Sequence, residues 1–267
     1  MSGFSSEWLA LREPLDRRSR SRDVLEAVAS AFRGREALSI VDLGSGTGST
    51  VRALSAYLPS PQAWRLVDND PVLLAEAFAM ERVDDVTVET QQFDLNDDVG
   101  PLFDGADLIT SSALIDLVSE PWLANLAAAA AARSLPVYIA LTYDGRAKLH
   151  DADPLDERII AAVNVHQLGN KGFGPALGPR AADFAIRIFR TFGYAVAPGQ
   201  SDWVAGAADG NFQVELLAGW RRAAEEIGEI PRKTLQDWFE RRSAAAQAGK
   251  LTLSVGHVDF FAQPLKR

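Results

Sequence analysis

The sequence contains no cysteine and few histidines, and these absences exclude several kinds of site. Without cysteine, neither a disulfide framework nor a thiolate metal site can form. The histidines His150, His166 and His257 lack paired ligand spacing, so we expect no metal site. No apolar run reaches the roughly 18 residues that a membrane span needs, and charged residues 1–26 lack the apolar centre of a secretory signal. We therefore expect a cytoplasmic protein without a membrane segment.

Basic residues are outnumbered by acidic ones, and the formal net charge is −9. An acidic chain repels polyphosphates, so nucleic acid is not an expected partner. The one dense basic run, residues 17–22, indicates a solvated loop or helix face, with a phosphate-binding arm as the alternative. With 267 residues, of which 47% are hydrophobic, the chain is long and apolar enough for one large α/β domain.

One stretch, residues 38–49, dominates the sequence. Apolar and β-branched residues lead into a loop with glycine at every second position, namely Gly44, Gly46 and Gly48. Such an apolar run is typical of a buried strand in a parallel sheet. Glycine can adopt positive φ and has no Cβ, so a ligand can approach the backbone closely. Apolar spacing over residues 47–58 predicts a helix after the loop, and the whole unit predicts a nucleotide-binding corner.

The chain alternates between predicted strands and helices over its first 141 residues. The predicted strands are 38–43, 63–68, 86–91, 106–110 and 136–141, with helices at 23–33, 47–58, 70–80 and 121–133. This alternation predicts a parallel sheet with helices on both faces. Further on, we expect a helix at 180–192 and two strands at 194–205 and 251–263. We see no linker long enough to separate two domains.

Three segments stand outside this alternation. Residues 1–36 form an N-terminal helical segment, and residues 144–179 are long for a strand–helix connection. We interpret the latter as an acceptor insertion, with a helix over 154–167 and a glycine-hinged lid loop over 169–175. Residues 211–248 form a helical insertion between the last two strands, broken at Pro231.

The glycine loop carries a family resemblance. Its pattern is G-x-G-x-G, with Asp42 two residues before Gly44 and with Ser49 where a dehydrogenase would have its third glycine. Residues 41–48 thereby resemble the first motif, (D/E)-x-G-x-G-x-G, of the class I S-adenosylmethionine-dependent methyltransferases. The resemblance implies a Rossmann-like three-layer sandwich around a seven-stranded, mostly parallel sheet. Its last strand would be antiparallel and lie beside the fifth.

The resemblance also implies a cofactor and a reaction. The cofactor would be S-adenosyl-L-methionine, and its methyl group would pass to a small-molecule acceptor by in-line displacement. Asp68 ends the second strand, where a carboxylate can accept hydrogen bonds from two ribose hydroxyls, and Asp70 suits the cap of the next helix better. By resemblance Asp94 would meet the adenine amino group, with Asp97 and Asp98 as nearby alternatives. The expected cofactor-binding residues are Asp42, Gly44, Ser45, Gly46, Gly48, Asp68, Asn69, Asp94, Leu95, Ser111 and Ser112.

Candidate bases follow from the chemistry of methyl transfer. The donor is already activated, so alignment of the reactants can suffice, but an oxygen or ammonium nucleophile must also lose a proton. Asp116, Tyr143 and His166 are the catalytic candidates, and His150 is a further possibility. For His166 a packed or capped role is the alternative. Three cations near the predicted lid could pair with a carboxylate or phosphate on the acceptor, or could simply be surface charges: Arg146, Lys171 and Arg180.

Two other functions stay open on the sequence. A nicotinamide-dependent oxidoreductase would also place an acid near Asp68, although Ser49 and Asp42 weigh against it. A non-catalytic protein that binds S-adenosylmethionine is the other, because no single base is obligatory. The N-P-P-Y motif of methyltransferases that act on nucleic-acid amino groups does not follow the fourth predicted strand, where Ser111 and Ser112 stand instead.

Overall fold

The structure is a computed structural model that describes residues 5–79 and 84–265. Its strands are β1 (Leu38–Leu43), β2 (Gln62–Asp68), β3 (Val86–Gln92), β4 (Leu108–Ser112), β5 (Val137–Leu149), β6 (Tyr194–Gln200), β7 (Trp203–Ala205) and β8 (Leu253–Pro264). Its α-helices are α1 (Ser6–Ser19), α2 (Arg22–Ala31), α3 (Ser49–Leu54), α4 (Pro71–Phe78), α5 (Glu120–Ala132), α6 (Asp156–Gln167), α7 (Ala181–Thr191), α8 (Gly210–Ile227) and α9 (Arg232–Gln247).

The strands form one mixed sheet in the order β3-β2-β1-β4-β5-β8-β6, with β7 also paired to β8. The first five strands are parallel, and β8 runs antiparallel between β5 and β6. The Rossmann-like α/β fold and the inserted antiparallel last strand are therefore confirmed. The strand predicted over residues 194–205 is two short strands, so that eight strands take the place of seven.

Helices cover both faces of the sheet and make the expected three layers. One face packs against α2, α3 and α4, with Trp64 and Tyr138 among its fully buried side chains. The other packs against α5 and α7, around Ile109, Phe189 and Phe260. Each face buries a continuous apolar layer, which is the main stabilising contribution in such a fold.

A third apolar cluster lies beside the sheet and is built by α1, α6, α8 and α9. Trp238 is its largest fully buried side chain, and its indole N–H donates to Asp156 Oδ1 at 2.8 Å. The predicted insertion at 211–248 is thus a helical hairpin, with Pro231 immediately before α9. Its apolar side packs on α6 and on the β7–β8 pair.

The main departure from the predicted elements concerns β5. It was expected to end at residue 141 but continues to Leu149, because residues 142–149 pair with the first half of β8. Leu141 has a φ of +55°, and the register shifts beside it, so the strand bends where its parallel pairing ends. Residues 144–149 of the predicted insertion therefore belong to the sheet. Tyr143 lies inside β5 rather than after it.

Two smaller departures affect elements near the glycine loop. The helix predicted over 47–58 is α3 followed by a single 3₁₀ turn at Ser55–Tyr57. Ser111 and Ser112, expected after the fourth strand, are its last two residues. The end of the predicted 70–80 helix, at residue 80, lies outside the described residues.

Candidate cofactor and acceptor site

The glycine bend between β1 and α3 has a backbone that only glycine adopts without strain. The φ angles of Gly44, Gly46 and Gly48 are +63°, +51° and +81°. A Cβ at Gly44 would lie 3.3 Å from the Leu114 side chain, and one at Gly46 would lie 3.2 Å from that of Leu9. A side chain at either position would therefore meet both backbone strain and a close neighbour.

Asp68 ties the end of β2 to this bend. Its Oδ2 accepts the Gly46 N–H at 2.8 Å, and its Oδ1 accepts the Asp70 N–H at 3.0 Å. Each carboxylate oxygen can accept a further hydrogen bond, so Asp68 retains capacity for a ligand. Asp70 caps α4 by accepting from the Val72 N–H, as predicted.

Asp42 lies beneath the bend and has no exposed surface. Its Oδ1 accepts from the Thr110 hydroxyl at 2.7 Å, while its Oδ2 has no hydrogen-bond partner among the described residues. Burial raises the pKa of Asp42 to about 6, against the lowering influence of Thr110, Thr50 and Arg20. A buried carboxylate oxygen of this kind is best satisfied by a cationic donor.

Arg20 is a buried residue beside β4 and β5 that sequence reasoning missed. Its guanidinium donates to the Tyr138 hydroxyl at 3.1 Å and to the Ser112 hydroxyl at 3.0 Å, and Ser112 contacts Thr50 at 3.1 Å. Burial alone would lower the pKa of Arg20, but Tyr138 and Asp259 raise it and the net shift is upward. The basic run was expected to be a solvated surface, and at Arg20 this expectation was wrong.

The remaining predicted cofactor residues lie at the ends of β2, β3 and β4. Ser111 donates to the Leu43 carbonyl at 2.9 Å, and the Asn69 carbonyl accepts from Gln92 at 3.2 Å. Asp94 is exposed and accepts from the backbone N–H of Asn96 at 3.0 Å. Leu95 is buried, and its carbonyl accepts from the Trp122 indole at 2.6 Å. All of these residues follow or end parallel strands, whose carboxyl ends share one edge of the sheet.

Asp116 lies in the loop after β4. It is 8% exposed, and its Oδ1 is buried without a hydrogen-bond partner among the described residues. Burial raises its pKa to about 6, while its own backbone N–H and the charge of Arg12 act in the opposite direction. A carboxylate of this pKa is ionised at neutral pH and still basic enough to accept a proton.

Tyr143 and His166 are held in different surroundings. The Tyr143 hydroxyl donates to Asn164 Oδ1 at 2.7 Å, and burial, with the charges of Asp144 and Asp116, raises its pKa. The Tyr143 hydroxyl is thus protonated at neutral pH, and it donates this proton to Asn164. His166 Nε2 lies 2.9 Å from Glu226 on α8, and its Nδ1 lies 3.1 Å from Lys171 Nζ.

Helix α1 packs against the glycine bend. Leu9 contacts Gly46, and the Glu13 carboxylate accepts from Arg52 Nη2 at 2.7 Å. Arg52 in turn donates to the Thr47 carbonyl of the bend at 2.8 Å. The predicted N-terminal helical segment is therefore part of the candidate site.

Helix α1 also carries an arginine that sequence reasoning missed. Arg12 is 8% exposed, its Nε donates to Asp16 Oδ2 at 2.7 Å, and its guanidinium lies 5.4 Å from the Trp203 ring centre. The Trp203 indole donates to Asp16 Oδ1 at 2.9 Å, and its ring lies 4.5 Å from that of His257. Burial, with the charge of Arg12, lowers the pKa of His257 to about 3, so this ring is neutral.

Two kinds of feature are absent from residues 5–79 and 84–265. Within these ranges, no cluster of three or more histidine or acidic side chains could hold a metal ion. No helix there has both the length and the apolar character needed to cross a membrane.

The fold can be compared with known proteins. No protein-family model matches the chain, and a comparison with curated proteins finds no match. Among solved structures, the chain is similar to a cyclopropane-fatty-acyl-phospholipid synthase-like protein from Lactobacillus casei, with 15% identity, a TM-score of 0.55, and coverage of 97% of this chain and 94% of that chain. It is also similar to a candidate methyltransferase from Bacillus halodurans, with 10% identity, a TM-score of 0.51, and coverage of 91% and 100%.

A further solved structure was determined with a bound ligand. It is a methyltransferase from Geobacter sulfurreducens in complex with S-adenosyl-L-homocysteine, with 17% identity, a TM-score of 0.44, and coverage of 99% of this chain and 100% of that chain. The strand order and the first two similarities agree on the architecture. The chain has the fold of the class I S-adenosylmethionine-dependent methyltransferases.

Proposed function

We propose that this protein transfers the methyl group of S-adenosyl-L-methionine to a small-molecule acceptor by in-line displacement. The observation that carries the proposal is the buried Oδ2 of Asp42, which has no partner among the described residues and lies beneath the bend formed by Gly44 and Gly46. This oxygen suits the ammonium group of the cofactor's methionine, either directly or through water. When bound, the cofactor supplies a methyl group already activated on a sulfonium.

The residues around the bend fit that cofactor. A Cβ at Gly44 or Gly46 would press on the side chain of Leu114 or Leu9, so the bend keeps its shape only with glycine at both positions. Asp68, with its free acceptor capacity, would bind the ribose hydroxyls. Asp94 would accept from the adenine amino group, with Asn69 and Leu95 beside the adenosine.

Electrostatics favour this cofactor over a nicotinamide dinucleotide. The discriminating group is Asp42, a buried carboxylate beneath the bend, because a dehydrogenase would also have an acid near Asp68. Burial is the main cause of the raised pKa of Asp42, and the charge of Asp68 raises that pKa further. A dinucleotide would bring an anionic pyrophosphate to this place, where like charges would repel it. A ligand with a cationic amino-acid end would instead be attracted.

We assign Asp116 as the base that accepts a proton from the acceptor. Its buried Oδ1 lacks a partner among the described residues, and its raised pKa makes it both ionised and basic near neutral pH. Tyr143, whose hydroxyl already donates to Asn164, would orient the acceptor as a neutral hydrogen-bond acceptor. His166 is bonded to Glu226 and Lys171, and its part would be to fasten the lid loop to α8.

Helices α6, α8 and α9 would form the outer wall of the acceptor site. They enclose the second half of β5, which extends past the edge where β1 and β4 end. In the predicted lid, the Asn170 side chain accepts from the N–H groups of Gly172 and Gly174, and Asn170 bridges to Pro175. These contacts give the lid loop a defined closed shape.

Calorimetric titration with S-adenosyl-L-homocysteine tests the cofactor assignment. We expect binding by the wild type and a loss of about 1.5–3 kcal/mol for Asp68→Ala, which removes a charged acceptor. Glu76→Ala, an exposed carboxylate on α4, is the matched control and should bind normally. Unchanged affinity in Asp68→Ala, or tighter binding of NAD than of S-adenosyl-L-homocysteine, would contradict the assignment. Methyl transfer into a metabolite extract would then separate an enzyme from a binding protein.

A further inference from the structure

Arg12 is a cation with unused hydrogen-bonding capacity. Only its Nε has a hydrogen-bond partner among the described residues, and that partner is Asp16. Its two terminal nitrogens have none there, and neither is sealed away from solvent. A guanidinium carries five N–H donors in a planar fork that matches carboxylate and phosphate groups. The terminal part of the fork is therefore available to a ligand.

The surroundings of Arg12 leave a place for that ligand. Asp116 interacts with the charge of Arg12, yet no ion pair joins the two side chains among the described residues. Asp116 thus has no cation paired with it among the described residues, while Arg12 is paired through its Nε alone. A molecule lying between them could offer an anionic group to Arg12 and a hydroxyl or amine to the unpartnered Oδ1 of Asp116.

Aromatic rings add a second element of recognition. Trp203, His257 and Tyr143 form a row, with ring centres 4.5 Å and 6.1 Å apart, and Arg12 lies over the first of them. These rings are buried and form an apolar wall beside the charged fork, and His257 is neutral. They suit a flat or apolar body joined to the anionic group.

Three other cations near the lid are less suited to this role. Arg146 bonds to Asp144 and Asp202, and Lys171 lies against His166. Arg180 has a side chain 65% exposed, with Glu120 3.7 Å away. Arg12 differs from these three because it combines burial with free donors.

We propose that Arg12 is the anion anchor of the acceptor site, and that the acceptor is a small molecule bearing a carboxylate or a phosphate. This inference rests on the proposed function for the identity of the site as an acceptor site. It goes further by naming the charge of the substrate and the residue that selects for it.

The test titrates matched probes into protein loaded with S-adenosyl-L-homocysteine and into the free protein, with binding followed by ligand-observed NMR. Benzoate and phenyl phosphate are the anionic probes, and benzamide and benzyl alcohol are the neutral ones. We expect at least one anion to bind about tenfold or more tightly than its neutral counterpart, as suits a charge-assisted bond. The stronger of the two anions identifies the preferred group.

Variants show whether Arg12 causes the selectivity. Arg12→Gln should lose about tenfold or more in anion affinity and leave the neutral probes unchanged, while Arg12→Lys should retain part of the effect. Arg17→Gln, an exposed arginine on the same helix, is the control and should match the wild type. Thermal melting and S-adenosyl-L-homocysteine affinity verify that each variant is folded.

Three outcomes would overturn the proposal. They are equal binding of anions and neutral analogues, unchanged anion selectivity in Arg12→Gln, and no anion binding at millimolar concentration. Failure of S-adenosyl-L-homocysteine to bind at all is a separate result and would overturn the proposed function. Anion selectivity would still be measurable in that case, because the probes are also titrated into the free protein. If Arg12 only supported the fold, the variants would change stability without changing the preference for anions.

Discussion

At the residue scale, two buried carboxylates hold charge that the fold leaves incompletely compensated. Asp42 and Asp116 each have one oxygen without a partner among the described residues, and burial raises the pKa of each to about 6. Buried polar groups usually have hydrogen-bond partners, so an exception calls for an explanation. Ligands that bind at these two points would provide one.

Asp116→Asn should make the protein more stable while removing the proposed base. The pKa of Asp116 rises from 3.8 to about 6 on folding. Its protonated form is therefore favoured in the folded state, and this contribution is present below the unfolded pKa and lost as the pH rises through about 6. At about pH 7.5 the variant should gain up to about 3 kcal/mol in urea unfolding, and at about pH 4 the gain should fall to about 0.5 kcal/mol. Asp97→Asn, at an exposed carboxylate, is the control.

The activity of Asp116→Asn gives a second readout of the same change. We expect methyl transfer into a metabolite extract to fall about 100-fold or more, the usual effect of losing a positioned base. Wild-type transfer should also decline as the pH falls below about 6. A variant of undiminished activity, or one with the same stability as the wild type at both pH values, would refute the assignment.

Asp42 makes cofactor binding sensitive to pH. In the free protein its pKa is about 6, and a nearby ammonium group would lower that pKa. Binding of S-adenosyl-L-homocysteine at about pH 6 should therefore release protons, and binding at about pH 8 should release almost none. Calorimetry in two buffers of different ionisation enthalpy measures this release. Asp42→Asn should bind more weakly and abolish the release, whereas proton uptake by the wild type would exclude an ammonium beside Asp42.

At the element scale, the α8–α9 hairpin depends on one buried indole. Trp238 has no exposed surface and bonds to Asp156, which also pairs with Arg242. Trp238→Ala should lower the free energy of unfolding by about 3–5 kcal/mol, because it leaves a cavity and removes a hydrogen bond. Urea unfolding measures the change. Phe239→Ala, at a half-buried neighbour, should cost clearly less. Equal losses would show that Trp238 does not anchor α9.

Element boundaries also show what a linear sequence can reveal. The first strand was predicted with its observed bounds, because β1 is a short, mostly apolar segment that ends directly before a glycine. The second half of β5 was missed, since Gly145 and the charged Arg146 and Lys148 interrupt the apolar pattern. Pairing with residues 253–258 holds this part of the strand in place. Such a long-range contact leaves no local signal.

At the scale of the whole molecule, the fold was more predictable than the site. The glycine pattern and the strand ends indicated where a cofactor would lie, because those features depend on backbone geometry and local order. The charged residues Arg12, Asp16 and Arg20 were not recognised as buried. Charged side chains are usually exposed, and only tertiary packing shows that these three face one another or the sheet. The proposed acceptor side of the site was therefore the part that needed the structure.

The position of β8 has a consequence for how the molecule is made. This strand, the last along the chain, joins β5 to both β6 and β7, so three earlier strands gain a neighbour only when it arrives. During synthesis, residues 253–264 leave the ribosome after all the other strands. The pairs that they make with β5, β6 and β7 therefore form only then. Pairing with β8 is thus the last step in forming this sheet, and until then the edges of β5 and β6 stay open to mispairing.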